Sequence, residues 1–384
     1  MKRILSLFCA FCLLGASFSV WAQEDEEDTS PELYSEHVVL MEQSTKKVLY
    51  EKNSDEKCYA ASLGQLMSML LVMEAVDSGK LSMDATLRCS DHANSIGGAS
   101  IWLRAGEEMK VSDLIKAVCI VSANDAVTVL AEAVGGDEAK FVAMMNQKAK
   151  DLGMQNTTFV NPTGLYAEGQ QTTARDIGIV ACELLKYEQI TQYTSVWLDS
   201  MKNSDGDVEL ANQNRMVRFY KGATGLKACV SDQAKNCVAA SATRGDMTYV
   251  AVALGSETSD DRFETAKNLL NYGFENFITL KLPSIESELG EVKVTDGVKP
   301  KVALSATPPE RLIIDKALKA SIEQKPEVIE EIAATVEEGQ ELGKVVVTAG
   351  DTVLTEYPVK AKETVLEMTF PRALMILLRS MVQL

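Results

Sequence analysis

Histidine is nearly absent from this chain: two residues in 384. His37 lies in an apolar strand-like run and His92 in the polar turn Ser90-Asp91-His92-Ala93-Asn94. That scarcity argues against a Ser-His-Asp triad and against a histidine-rich metal site, and no metal or cofactor is expected. Clustered Lys and Arg are lacking too. With a formal net charge of −17, the chain offers no basic patch to neutralise phosphates, so nucleic acid is not an expected partner. Of the eight cysteines, the six beyond the first apolar run show no CxxC spacing and no dense framework. Cys9 and Cys12 fall in the first apolar run; Cys58, Cys89, Cys119, Cys182, Cys229 and Cys237 lie beyond it. Surroundings such as Ala117-Val118-Cys119-Ile120 read as sites for buried small hydrophobes rather than for disulfides or metal ligands.

Long apolar runs are confined to the start. Lys2 and Arg3 precede the run Ile4 to Val20, and Val20-Trp21-Ala22 supplies small residues at alternate positions. This pattern predicts a secretory signal at 1–22 cleaved before Gln23, followed by an acidic linker at 23–33. The run is short for a membrane span, and no later segment is apolar enough to be one.

From His37 the chain reads as an α/β domain over 34–281. His37 to Met41 and Lys47 to Glu51 predict a β-hairpin. Helical spacing follows over Leu63 to Ala75, Val111 to Ile120, Asp125 to Ala133, Glu138 to Leu152 and Thr173 to Leu185, with Asn161-Pro162-Thr163-Gly164 as a turn. Strands return at Cys237 to Ser241 and Thr248 to Gly255, and a helix from Arg262 to Phe274 closes the domain. A smaller β-rich domain is expected over 282–368, from short runs at Glu291 to Val294, Lys301 to Leu304, Leu312 to Ile314, Lys344 to Thr348 and Thr352 to Val359. The last segment, 370–384, predicts an amphipathic helix opened by Pro371. Leu374, Leu377, Leu378 and Met381 lie on one face and Arg372, Arg379 and Gln383 on the other, a pattern suited to a membrane interface.

With so little histidine, a serine nucleophile would have to pass its proton to another base, normally a lysine of lowered pKa. Ser62 opens the helix from Leu63, at the positive end of the helix dipole. The position three residues on, which shares its face, is Gln65, whose amide takes up no proton at neutral pH. By residue type alone, Ser62-Leu63-Gly64-Gln65 is a capping box.

The wider series of segments resembles the serine D-alanyl-D-alanine carboxypeptidases, the low-molecular-mass penicillin-binding proteins. It comprises the hairpin ending Lys47-Val48-Leu49-Tyr50-Glu51-Lys52-Asn53, then Ala61-Ser62-Leu63, Ser122-Ala123-Asn124-Asp125-Ala126, Asn161-Pro162-Thr163-Gly164-Leu165, Thr173-Ala174-Arg175-Asp176 and Gly225-Leu226-Lys227, leading into Val238-Ala239-Ala240-Ser241-Ala242. The resemblance implies a penicillin-binding-protein/β-lactamase-like domain acting on peptidoglycan stem peptides at the outer face of the cytoplasmic membrane, and reacting with β-lactams. It implies three motifs. Ser62 matches the nucleophile of Ser-x-x-Lys, Ser122 and Asn124 match Ser-x-Asn, and Lys227 matches the first residue of Lys-Thr-Gly and would bind the substrate carboxylate. Three positions depart: Gln65 replaces the base lysine, Ala228 the threonine and Cys229 the glycine.

Loss of a general base forfeits on the order of 10²- to 10⁴-fold in rate. Ala228 has no hydroxyl to offer a carboxylate, and Cys229 adds a side chain where glycine lets a substrate backbone approach the strand. Either the chain is a carboxypeptidase homologue with little or no activity that still binds stem peptides or a partner, or it is an active enzyme with a displaced base such as Lys227 or Ser122; a purely structural envelope role is the third option. Strand alternation is expected to keep Cys229 from acting as a thiol nucleophile beside Lys227. Ser122 and Asn124 read equally well as a helix-capping turn.

Overall fold

A computed structural model describes residues 30–382. The expected signal at 1–22 and most of the acidic linker lie outside the described residues.

Five antiparallel strands form the central sheet: β1 (His37–Glu42), β2 (Val48–Lys52), β3 (Ala223–Ser231), β4 (Lys235–Arg244) and β5 (Met247–Ser256). Their order is β2-β1-β5-β4-β3, which joins the first hairpin to the last three strands of the domain. Both faces are covered. Val39, Met41, Ala239, Val250 and Val252 pack into one core, while Val38, Leu40, Val238, Ala240 and Ala251 pack into the other. Alternate residues therefore serve opposite layers, and the strands read as continuous apolar runs because neither face meets water.

The larger core lies under the helices α1 (Gln65–Asp77), α2 (Val111–Val121), α3 (Asn124–Gly135) and α4 (Ala174–Leu184). α1 is buried from Gln65 through Met73 and is apolar nearly all round, as a helix enclosed by neighbours must be. The opposite face carries α5 (Ser259–Asn276), started by a capping box in which the Thr258 side chain accepts from the Asp261 N–H and the Asp261 side chain accepts from the Thr258 N–H.

Beyond α5 the chain turns β-rich. Six strands order as Ile322–Val328, Glu341–Ala349, Thr352–Ala361, Lys301–Ala306, Glu291–Thr295 and Glu331–Ala333 around their own core of Val292, Val302, Val345, Val347 and Val359. The two β regions are tied by Lys47 Nζ donating to the Ile313 carbonyl at 2.8 Å. A last helix, α6 (Phe370–Val382), follows. Its Leu374, Leu378 and Met381 are exposed rather than packed on the β-rich domain. No helix among the described residues is long and apolar enough to cross a membrane.

The structure adds several strands to the sequence reading, among them two elements of the first domain. The strand Ala223–Ser231 runs past Thr224 and Gly225, which broke the apolar pattern, with a bulge at Thr224 and regular pairing with β4 from Gly225 to Ser231. The polar hairpin Leu198–Asn203 with Gly206–Ala211 has too little apolar alternation to be legible.

Candidate active site

A cleft of about 340 Å³ opens where three segments meet: the turn before α1, the turn between α2 and α3, and β3. Ser62, Ser122, Asn124 and Cys229 all line it, with Tyr59, Thr163, Gly164, Tyr166, Gln213 and Ser231. Residues distant in sequence thus converge on one pocket.

Ser62 sits half-buried in a 3₁₀ turn, Ala61–Gly64, that precedes α1. The reciprocal cap expected from Ser62 and Gln65 does not form. No side chain caps either helix start, and Gln65 is turned inward with no exposed surface. The physical reason is its surroundings. Gln65 Nε2 donates toward three acceptors, the Asn124 Oδ1 at 2.9 Å, the Thr163 carbonyl at 3.0 Å and the Ser122 carbonyl at 3.2 Å. An amide nitrogen has two hydrogens for those three acceptors, whereas an ammonium has three. The glutamine oxygen, meanwhile, is buried without a partner. The cradle thus has the stoichiometry of a lysine and is occupied by a side chain that can neither fill it nor take up a proton. Among the described residues no side chain hydrogen-bonds to the Ser62 hydroxyl.

Ser122 ends α2 in the left-handed region (φ 61°), and its N–H donates to Val118 at 3.1 Å. Asn124 does not cap the next helix through its side chain. Instead it bridges the cleft, donating from Nδ2 to the Gly97 carbonyl at 2.8 Å while accepting from Gln65. Asp125, unremarked in the sequence, is buried beside it. Its carboxylate accepts from the Ser100 hydroxyl at 2.6 Å and the Leu103 N–H at 3.0 Å, fixing the loop whose Gly98 and Ala99 line the cleft.

The turn Asn161 to Leu165 supplies the third acceptor. Asn161 Oδ1 accepts from the Gly164 N–H at 2.8 Å, and Tyr59 donates its hydroxyl to the Gly164 carbonyl at 2.5 Å. Glycine is required there: φ is +76°, and a Cβ would lie 2.2 Å from the Ala61 carbonyl oxygen. This close approach presses the turn against Ser62.

Lys227 occupies the cleft strand but does not line the cleft. It is 4% exposed, and its Nζ donates to the Val118 carbonyl at 2.7 Å. Burial lowers its pKa to about 8, against the pull of the neighbouring Cys119 and Cys229 sulfurs. Alternation also acts differently from the expectation. It is Ala228 that faces away, into the core beneath α5, while Cys229 shares the Lys227 side of the sheet. A side chain at 228 therefore packs against α5 rather than meeting a ligand in the cleft. The Cys229 thiol donates to the Ala60 carbonyl at 3.3 Å, just before the Ser62 turn. Behind the strand, the buried Arg262 donates to the carbonyls of Cys229 and Cys237. Neither histidine lines the cleft; His92 Nε2 lies 2.6 Å from Glu138 Oε2.

The chain matches the family model described as "D-alanyl-D-alanine carboxypeptidase" over residues 24–258, and "Penicillin-binding protein 5, C-terminal domain" over 277–367. It is 40% identical over 367 residues to the D-alanyl-D-alanine carboxypeptidase DacF of Bacillus subtilis (strain 168), covering 94% of each chain. Among solved structures, penicillin binding protein 5 from Haemophilus influenzae is 27% identical with a TM-score of 0.79, covering 88% of this chain and 99% of that one. Penicillin-Binding Protein D2 from Listeria monocytogenes in its ampicillin-bound form is 30% identical with a TM-score of 0.56, covering 63% of this chain and 98% of that one.

Proposed function

Because the chain belongs to the D-alanyl-D-alanine carboxypeptidase family of peptidoglycan metabolism, we propose that it is a catalytically impaired member, exported to the cell envelope, that binds stem peptides ending in D-Ala-D-Ala beside Ser62. The observation that carries the impairment is Gln65 in a cradle of three acceptors. A serine hydroxyl needs a proton acceptor to attack a carbonyl, and the amide that stands there is not basic. Binding suffers less. The cleft keeps Asn124, Ser122 and the backbone of β3, groups that can hydrogen-bond a peptide without proton transfer.

Cys229 narrows what the cleft accepts, since its thiol reaches the Ala60 carbonyl across the space between β3 and the Ser62 turn. The exposed apolar residues of α6, with Arg372 and Arg379, suit the interface of the outer face of the cytoplasmic membrane.

A second reading, an active carboxypeptidase with a displaced base, is favoured by one observation: the lowered pKa of Lys227 leaves part of it neutral near pH 8. Against it stands the commitment of that Nζ to the Val118 carbonyl, outside the cleft lining. Labelling with a fluorescent penicillin separates the two readings. The expected result is slow or absent labelling together with measurable binding of a D-Ala-D-Ala pentapeptide. Rapid labelling that disappears in Ser62→Ala would overturn the impairment.

A further inference from the structure

On the strand that walls the cleft, Cys229 of β3 stands directly opposite Cys237 of β4 in the antiparallel register. Both are free thiols, 4% and 0% exposed. Directly opposed residues on antiparallel strands have Cα atoms about 4.5–5.5 Å apart, within the span of about 4.4–6.8 Å that a disulfide bridges. Their environments differ in a useful way. Cys229 lines the cleft, whereas Cys237 lies behind it with its thiol donating to the Ala234 carbonyl at 3.1 Å. β4 is irregular at this point, its register with β5 slipping between Asn236 and Val238, so the backbone carrying Cys237 is not held by an uninterrupted ladder on its other side.

We propose that Cys229 and Cys237 form a reversible thiol–disulfide site in the cleft wall. The cleft-side Cys229 attacks an external disulfide, forming a mixed disulfide and releasing one thiolate. Cys237 then attacks the Cys229 sulfur of that mixed disulfide and expels the second thiolate. Two protein thiols are oxidised, the two electrons and two protons leave with the external disulfide as two thiols, and one S–S bond remains between β3 and β4.

The electrostatics fit this division of labour. Interaction with the neighbouring Cys237 side chain holds the Cys229 pKa below the ordinary thiol range, with burial opposing and the Leu63 N–H, Arg262 and Lys227 assisting. The same contact and burial push Cys237 well above that range. The attacking thiol is thus the more acidic and accessible one, and the resolving thiol is the one kept protonated until it is needed.

Oxidation also removes the proton that Cys229 donates to the Ala60 carbonyl. The link between β3 and the turn that carries Ser62 is then broken, while the β3–β4 hairpin becomes covalently tied. The proposal rests on the register of two strands and is independent of whether the cleft turns over a substrate.

The test is peptide mapping under non-reducing conditions after the native full chain is exposed to oxidised glutathione. The expected product carries one linked peptide joining Cys229 to Cys237, two mass units lighter than the dithiol and reversed by dithiothreitol. Cys58 is the competitor, half-buried and close enough to Cys237 to raise its pKa. Cys58→Ala should therefore form the same link, and this variant serves even if the cleft cysteines cannot be replaced without unfolding. Cys237→Ala should stop at a stable glutathione adduct on Cys229. A Cys58–Cys237 link, a lasting glutathione adduct on Cys229 of the unmodified chain, or two unreacted thiols would each overturn the proposal.

Discussion

Gln65 Nε2 donates to the Asn124 side-chain oxygen at 2.9 Å, joining the residue where the family's base belongs to the second motif in the turn between α2 and α3. The contact ties the start of α1 to the turn between α2 and α3 across the cleft. An amide can donate to these acceptors but cannot take up a proton, which is the basis of the proposed impairment.

Gln65→Lys should place a lysine Nζ against the three acceptors, where its neutral form can take up the Ser62 proton, and recover part of the penicillin labelling. On its own the gain is modest, because Cys229 still crowds the space beside Ser62. Combined with Cys229→Gly, labelling should rise by more than the product of the two single gains, since residues that act as one catalytic unit are not additive. Ala228→Thr should add little and lower the melting temperature, because that side chain packs against α5. Stopped-time labelling and gel fluorescence read all three. A double variant no faster than the better single one would show that another element limits acylation.

Lys227 makes stability depend on alkaline pH with a definite sign. Its folded pKa is about 8, and in the unfolded chain it returns to about 10.4. Below pH 8 both states hold the proton, and the fold bears the full cost of a buried cation. Between these values only the unfolded chain is protonated, so stability rises with pH, by about 3 kcal/mol at most. Comparing unfolding of the native chain with Lys227→Met isolates this contribution. The native chain should gain on the variant from pH 7.5 to 10.5, and a constant difference would contradict the assignment.

Asp125→Ala should cost about 2–4 kcal/mol, as buried donors at Ser100, Ile101 and Leu103 lose their acceptor. The same loop supplies Gly97, whose carbonyl holds Asn124. Pentapeptide binding should therefore weaken along with the loss in urea midpoint. Weakened stability with unchanged binding would mean the cleft does not depend on the loop.

Truncation after Pro371 should release the protein from anionic vesicles, because Met375 is 56% exposed, Met381 73%, and neither is buried against the β-rich domain. Co-sedimentation of the shortened chain equal to that of the native one would assign membrane binding elsewhere.

The sequence by itself determined the elements that depend on local spacing. The helices from Val111 and Glu138 and the strands from Thr248 and Glu291 follow from periods of 3.6 and 2, because one residue in three or four, or one in two, must face a core. It also placed Ser62, Ser122, Asn124 and Lys227 in an ordered series, and named Gln65 and Cys229 as departures from it. What it could not decide was direction and company. Whether Gln65 caps its own helix or turns into a cradle depends on the carbonyls of Ser122 and Thr163, which reach it from far along the chain. The burial of Lys227 against Val118, the packing of Ala228 away from the cleft and the pairing of Cys229 with Cys237 are set by which strand lies beside β3 and which helix lies beneath it. Sheet neighbours and side-chain partners are long-range relations, fixed only when the whole core closes, and no local pattern encodes them.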